Sequence, residues 1–304
     1  MALLLVAVGL LVITVVRQGA AIGDALQRLN AFDLALSGAF VLAGLVAQML
    51  SWRSLFSGSE VGVPPIRIAG RIYYVGQLGK YVPGSVWAVV AQAELGKDHR
   101  VPRARSATVA LSALVVLVVV GGAVSAAGLA VGSASSLRTY WWALLSVPVG
   151  IVLLSPAVFN RLIALALRLT KRGGPAPEIS GAAVLRSSGW ALVMWLAFGA
   201  HAWFLATGLG ASGAADAATV TGAFALAWVV GFLVVIAPAG AGPREAALVL
   251  ALAPVMGAVD AFVVALISRL LMVVGDVVAA GIFARGPSAA PPTTVDQVKH
   301  EAPQ

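Results

Sequence analysis

The 304 residues contain no cysteine, which excludes a disulfide framework, an iron–sulfur cluster and a thiol nucleophile. Charge is scarce as well. Asp, Glu, Lys and Arg together make up 11% of the chain, against roughly a quarter in ordinary soluble domains, so a soluble core under a charged surface is excluded. Walker A, HExxH, GxSxG and DxD patterns are all missing, and with them the common local signals of nucleotide, zinc-protease and serine-hydrolase sites. No cofactor and no metal are expected. The single histidine inside an apolar run, His201, has no second histidine or acid at ligand spacing, and a hydrogen-bonded core role is expected for it.

What the chain has instead is apolar length. Hydrophobic residues make up 60% of it, and the mean hydropathy is +0.97. A spanning helix needs roughly 20 mostly apolar residues, and six runs qualify or nearly so: Met1–Val16, Asp33–Trp52, Ser106–Val131, Tyr140–Phe159, Ser188–Gly208 and Asp260–Phe283. The runs are continuous rather than alternating, which favours helices over a barrel, since lipid forces every backbone group to pair internally. The first run has no basic leader and no small-x-small cleavage site, so it reads as a retained helix. The fold class is therefore an all-α polytopic membrane protein. One membrane domain is expected over residues 1–285, followed by a disordered cytoplasmic tail over 286–304 that is rich in Pro, Ser, Thr and charge.

The net charge of +8 is explained by orientation rather than by nucleic acid, because the cations sit in short loops between apolar runs. Loops 53–71, 97–105, 161–186 and the tail from Arg285 hold 14 of the chain's 20 Lys and Arg; loops 17–28, 138–139 and 209–219 hold 3. Both termini are accordingly expected in the cytoplasm. Trp52, Trp190 and the run Tyr140, Trp141, Trp142 lie at span ends, where aromatic side chains favour the membrane interface. High Ala, Val, Gly and Arg content suggests a GC-rich bacterial genome, hence the plasma membrane.

Two further apolar stretches are broken by Pro and Gly: residues 66–93 at KYVPGSVW, and residues 220–254 at IAPAGAGPRE. The first lies between basic loops and the second between cation-poor ones, so each is expected as a hairpin that enters and leaves on one side, the two sides being opposite. Each is followed by a full span. An offset of 155 residues superposes Gly76 on Gly231, Leu78 on Leu233 and Pro83 on Pro238, the pattern expected of inverted repeats, which place a substrate site near the midplane between them.

Three cations remain outside the loops, Lys80, Arg244 and Arg269, with two acids, Glu245 and Asp276, at comparable depth. Each costs about 2.5 to 3.5 kcal/mol in lipid, so all five must face protein or water. Three positive charges against two negative suit a phosphate-bearing ligand; a structural ion-pair cluster is the other reading. Arg269 and Asp276 are seven apart on one helix, too far for an ordinary pair. The expected partners are Glu245 for Arg269, and Arg244 or Lys80 for Asp276. Both Pro-Gly breaks are expected to free backbone N–H groups at the start of the returning half-helix, where an anion can bind. Trp87, Gln92 and Glu94 follow the first break; Gln92 and Glu94 fit a polar path, whereas Trp87 is expected simply to pack.

The segments GQLGKYVPGSVWAVVAQAELG, PAGAGPREAALVLAL and ISRLLMVVGDVVAA resemble, in that order, three blocks of the lysylphosphatidylglycerol synthase transmembrane, or flippase-like, family. The resemblance runs from about Asp33 to Phe283. It implies a membrane domain that moves a lipid between leaflets, with Lys80, Tyr81, Pro83 and Gly84 in the first block, Arg244 and Glu245 in the second, and Arg269 and Asp276 in the third as substrate-binding candidates. The soluble aminoacyltransferase domain of the fused members is not expected in the short polar stretch after Phe283. Three functional readings follow. One is a transporter of an anionic phospholipid or polyprenyl-phosphate lipid, running downhill or coupled to ions through Asp276 or Glu245. Another is a membrane enzyme on lipid-linked sugars using Glu94 or Asp98. The third is a scaffold for a lipid-modifying enzyme.

Overall fold

The computed structural model describes residues 19–59, 61–82, 87–99, 101–132, 144–169, 178–234 and 240–284. The expected first span, Met1–Val16, and the tail from Gly286 lie outside the described residues, as do Tyr140, Trp141 and Trp142. Among the described residues all regular structure is helical. Helices long and apolar enough to cross a membrane are α1 (Ala31–Ser54), α4 (Arg103–Val131), α7 (Gly181–Gly208), α8 (Gly213–Leu233) and α10 (Ala258–Ala284). Between them lie α2 (Ile66–Gly70), which runs on through a π turn over Arg71–Val75 and a 3-10 turn over Leu78–Tyr81, and the return helix α3 (Trp87–Lys97). The remaining short helices are α5 (Ser146–Leu153), α6 (Pro156–Leu169) and α9 (Pro243–Leu252). The protein is a polytopic membrane protein.

Local chemistry sets several boundaries. The Asn30 side chain accepts the Asp33 N–H at 2.8 Å and caps α1, and Ser180 caps α7 by accepting the Ala183 N–H. Proline opens α6 and α9, where its missing N–H is an orphan in any helix.

Two expectations are corrected. Tyr140–Phe159 is not one straight span: helix α5 stops at Leu153 and α6 leaves at a 75° bend, because Pro156 cannot donate into the preceding turn. Helix α6 also continues to Leu169 through the start of the supposed basic loop, burying Phe159 and Ile163. The second broken segment starts earlier than Val220. Residues 213–219, read as loop for their Gly, Ala and Asp, form the first turns of α8; alanine is the best helix former and needs no apolar mass to sit in one.

The helices pack through small residues. Gly44 of α1 leaves the space taken by the Phe198 ring of α7, and Phe40 stacks on Phe204 at 5.5 Å. His201, fully buried, accepts or donates at both ring nitrogens, to Ser37 Oγ of α1 at 2.7 Å and Ser268 Oγ of α10 at 2.8 Å. It therefore joins three helices, as the core reading predicts. Gly128 of α4 and Gly222 of α8 meet backbone to backbone.

Contacts sort the loops into two ends. At one, Arg186 donates to Ser57, Arg105 donates to the carbonyls of Leu55 and Glu178, and Gly70 lies under Phe283. At the other, Arg28 pairs with Asp260, and Gly208 meets Leu29 and Asp33. The first hairpin (α2 to α3) begins and ends at the basic end; the second (α8 to α9) begins and ends at the opposite one. Each is followed by a full-length helix, α4 or α10, so the hairpin-plus-helix plan occurs twice in opposite sense.

Candidate functional site

Where the two hairpins approach each other, residues beside their breaks meet α10. Lys80, carried by the 3-10 turn, places Nζ 2.6 Å from Asp276 Oδ2, and the Tyr81 hydroxyl donates to the same oxygen at 2.6 Å. Asp276 is 4% exposed, so both donors are needed to compensate its burial. On the second hairpin, Arg269 Nη1 donates to Glu245 Oε1 at 2.6 Å. Arg269 pairs with Glu245 as expected, and of the two partners expected for Asp276, Arg244 or Lys80, it is Lys80 that pairs with it.

The second break shows how the backbone brings Glu245 there. Gly240 and Gly242 hold φ of 72° and 91°, left-handed conformations open to glycine at little cost. Pro243 then starts α9, and the Gly242 N–H donates to Glu245 Oε2 at 2.7 Å. A freed N–H intended for an external anion is here taken by the chain's own carboxylate, which corrects part of the sequence expectation. At the first break, Pro83 and Gly84 lie outside the described residues.

Arg244 differs from the other two cations. It lies with its guanidinium carbon 5.1 Å from the Phe224 ring centre, and among the described residues no carboxylate reaches it within ion-pair distance, since Asp276 and Glu245 are engaged elsewhere. Its backbone crosses Gly231 so closely that a Cβ there would stand 2.8 Å from Arg244 Cβ. The first hairpin repeats this device. A Cβ on Gly76 would stand 2.6 Å from Gln92 Cγ, so the two glycines matched by the sequence offset each seat one return-helix side chain.

Lys80, Tyr81, Arg244, Arg269 and Asp276 line one cavity of about 150 Å³. Glu245, paired with Arg269, is not among the lining residues. The rest of the wall went unread in the sequence: Gln48 and Trp52 on α1, Tyr73 and Gln77 on the first hairpin, Trp228 and Phe232 on α8. The signal available was spacing, each pair being four apart and so on one helical face. Gln77 donates to the Tyr73 hydroxyl at 2.8 Å, and Trp228 stacks on Phe232 at 5.6 Å. Trp52, expected at the interface, is 1% exposed and part of this wall, whereas Trp190 is 40% exposed, as a lipid-facing ring should be. Gln92 lines the cavity and Trp87 does not; Trp87 is 48% exposed. Glu94 pairs with Arg103 at 2.6 Å on an exposed surface, and neither Glu94 nor Asp98 reaches the cavity. The arrangement offers a cationic anchor, two satisfied ion pairs and an aromatic wall inside a membrane domain.

The sequence model of the family described as "Lysylphosphatidylglycerol synthase TM region" matches residues 1–280. The chain belongs to this family. No curated protein and no solved structure was found to match.

Proposed function

From a member of the lysylphosphatidylglycerol synthase transmembrane-region family, a membrane protein of lipid metabolism, we infer a lipid transporter that carries an anionic phospholipid or a polyprenyl-phosphate-linked lipid between leaflets of the plasma membrane. The observation that carries this reading is Arg244. It is a cavity-lining guanidinium whose neighbouring acids are already paired, and a fork of N–H donors over a low-dielectric wall suits a phosphate oxygen pair. Lys80 and Arg269 supply further positive potential at short range, held in place by Asp276 and Glu245. Two hairpins of opposite sense meeting at one cavity support alternating exposure of that cavity to the two sides. The lipid tails would remain in the bilayer while the head group crosses through the polar space. Transport rather than catalysis is the reading because the two acids that a membrane enzyme would use, Glu94 and Asp98, stand away from the cavity.

The experiment is reconstitution of the purified protein into liposomes with fluorescent lipids of differing head group and tail, followed by leaflet exchange. Exchange by the wild-type protein, lost in Arg244→Ala and not with zwitterionic lipids, is the expected result. Absence of exchange for every anionic and polyprenyl lipid would sink the reading and favour a scaffold beside a lipid-modifying enzyme.

A further inference from the structure

Buried polar atoms without a hydrogen-bond partner are unevenly placed. Among the described residues they are Trp52 Nε1, Gln92 Oε1, Arg105 Nε, Ser106 Oγ and Ser112 Oγ, on α1, α3 and α4, with Ser146 Oγ on α5. The described residues of the second hairpin contribute none. Protein interiors normally pair such groups, and those left unpaired call for a reason.

The reason lies in the seam between α3 and α4. Gln92 and Gly96 are four apart on α3 and share a face; Ser106, Ala110, Ala113 and Leu117 follow one another at helical spacing on α4. Gln92, Ala110, Ala113 and Leu117 line the cavity, and Ser106 closes against Gly96, whose missing side chain leaves room for Ser106 Oγ. The seam thus runs from the cavity to the end of the bundle where Lys97, Arg103 and Arg105 stand. It is walled by small side chains, and its polar atoms are sealed from solvent while unpaired. Small residues alone make a packing stripe. Gln92, 4% exposed, and Ser106, fully buried, add an acceptor and a hydroxyl that the closed packing does not use.

We propose that the α3–α4 seam is a head-group track that is shut in this structure and parts to admit the uncharged, hydroxyl-bearing portion of a lipid phosphodiester head group, which pairs with Gln92 and Ser106 on its way to Arg244. The proposal rests on the transport reading and specifies its route and its ligand. Neutral donors and acceptors in the seam match hydroxyl groups. An amine would need an acid there, and a second phosphate charge would need another cation, whereas among the described residues lining the cavity Arg244 is the one cation outside an ion pair. A polyol esterified to a diacylglycerol phosphate and a sugar on a polyprenyl phosphate share this chemistry.

The absence of cysteine allows a clean test. A Cβ on Gly96 would stand 3.5 Å from Ser106 Cβ, within disulfide range, so the pair Gly96→Cys and Ser106→Cys can staple the seam. A control staple, Pro156→Cys with Gly181→Cys, joins α6 to α7 away from the cavity across 3.8 Å between Cβ positions. Leaflet exchange is measured with phosphatidylglycerol, with a sugar-phosphoprenol and with phosphatidylmethanol, an anionic phosphodiester whose head group lacks a hydroxyl. The expected result is loss of exchange for the seam staple when oxidised, recovery on reduction, and no loss for the control. Gln92→Leu, which keeps the packing volume, should lower exchange of the hydroxylated lipids relative to phosphatidylmethanol, and whichever of the two hydroxylated lipids moves identifies the tail. Undiminished exchange through a fully formed seam disulfide would overturn the track, as would unchanged head-group preference in Gln92→Leu. A wild-type protein without exchange fails the transport reading instead, so the two failures are distinct.

Discussion

Gly231 of α8 is the surface on which Arg244 of α9 rests, with backbone and Cβ closer than any side chain at 231 would permit. The contact fixes where the unpaired guanidinium enters the cavity. Gly231→Ala must push α9 away, because Arg244 Cβ is part of the helix and cannot swing aside. A destabilisation of about 1 to 3 kcal/mol is expected from such overpacking, with anion-dependent lipid exchange reduced in the folded fraction. Gly122→Ala is the control: nothing lies within 4 Å of its new Cβ, and replacing a helical glycine should raise stability by about 0.5 to 1 kcal/mol. Thermal unfolding in detergent, read beside exchange, checks both signs.

Asp276 collects Lys80 and Tyr81 on one oxygen. Asp276→Asn leaves Lys80 facing an amide in a low-dielectric wall. The cost should stay below the roughly 3 to 5 kcal/mol of a fully buried pair, because the Lys80 side chain is 31% exposed and partly screened. Adding Lys80→Met to Asp276→Asn should return part of that loss, a positive coupling in a double-mutant cycle. Strictly additive losses would show that the pair is not energetically linked. If Asp276 carried protons for transport, Asp276→Asn would abolish exchange driven by a pH gradient while sparing downhill exchange; loss of neither removes the proton role.

Arg105 acts as a clamp rather than as a ligand. Its guanidinium reaches the Leu55 carbonyl at 2.9 Å and the Glu178 carbonyl at 3.0 Å, tying the ends of α1 and α7 to the start of α4. Arg105→Met leaves both carbonyls without their donor, an expected loss of about 2 kcal/mol or more. Arg105→Lys should recover little, since the donors of an ammonium sit on one nitrogen, whereas separate nitrogens of the planar fork reach the two carbonyls. Equal unfolding temperatures for wild type and Arg105→Lys would contradict the clamp.

The sequence discloses what lipid demands and hides what packing decides. Apolar length marks α1, α4, α7 and α10 because hydrocarbon tolerates nothing else, and buried charge marks Lys80, Arg244, Glu245, Arg269 and Asp276 because each must be compensated. The start of α8 stays hidden: Gly, Ala and Asp look like a turn, although alanine is the best helix former and lets the helix begin at Gly213 without apolar mass. The same holds for Trp52, which sits at the end of an apolar run as an interfacial ring would, yet is enclosed by Phe56 and Tyr73 at 4.9 and 5.4 Å. The bend before Pro156 is legible from proline alone, but the apolar run around it masks the signal.

The two ends of the bundle predict an orientation in the membrane. The end holding Arg53, Arg105 and Arg186 is the basic one, and cations near span ends are retained in the cytoplasm. A chain without cysteine permits single-site labelling with a membrane-impermeant maleimide. Ser57→Cys lies at the basic end, where Ser57 accepts from Arg186; Gly257→Cys precedes α10 at the other end, with open space around its Cβ. In intact cells Gly257→Cys should react and Ser57→Cys should react only after permeabilisation. The reverse pattern would invert the topology and place the basic rim of the α3–α4 seam outside, so that a head group following that track would be taken up from the outer leaflet.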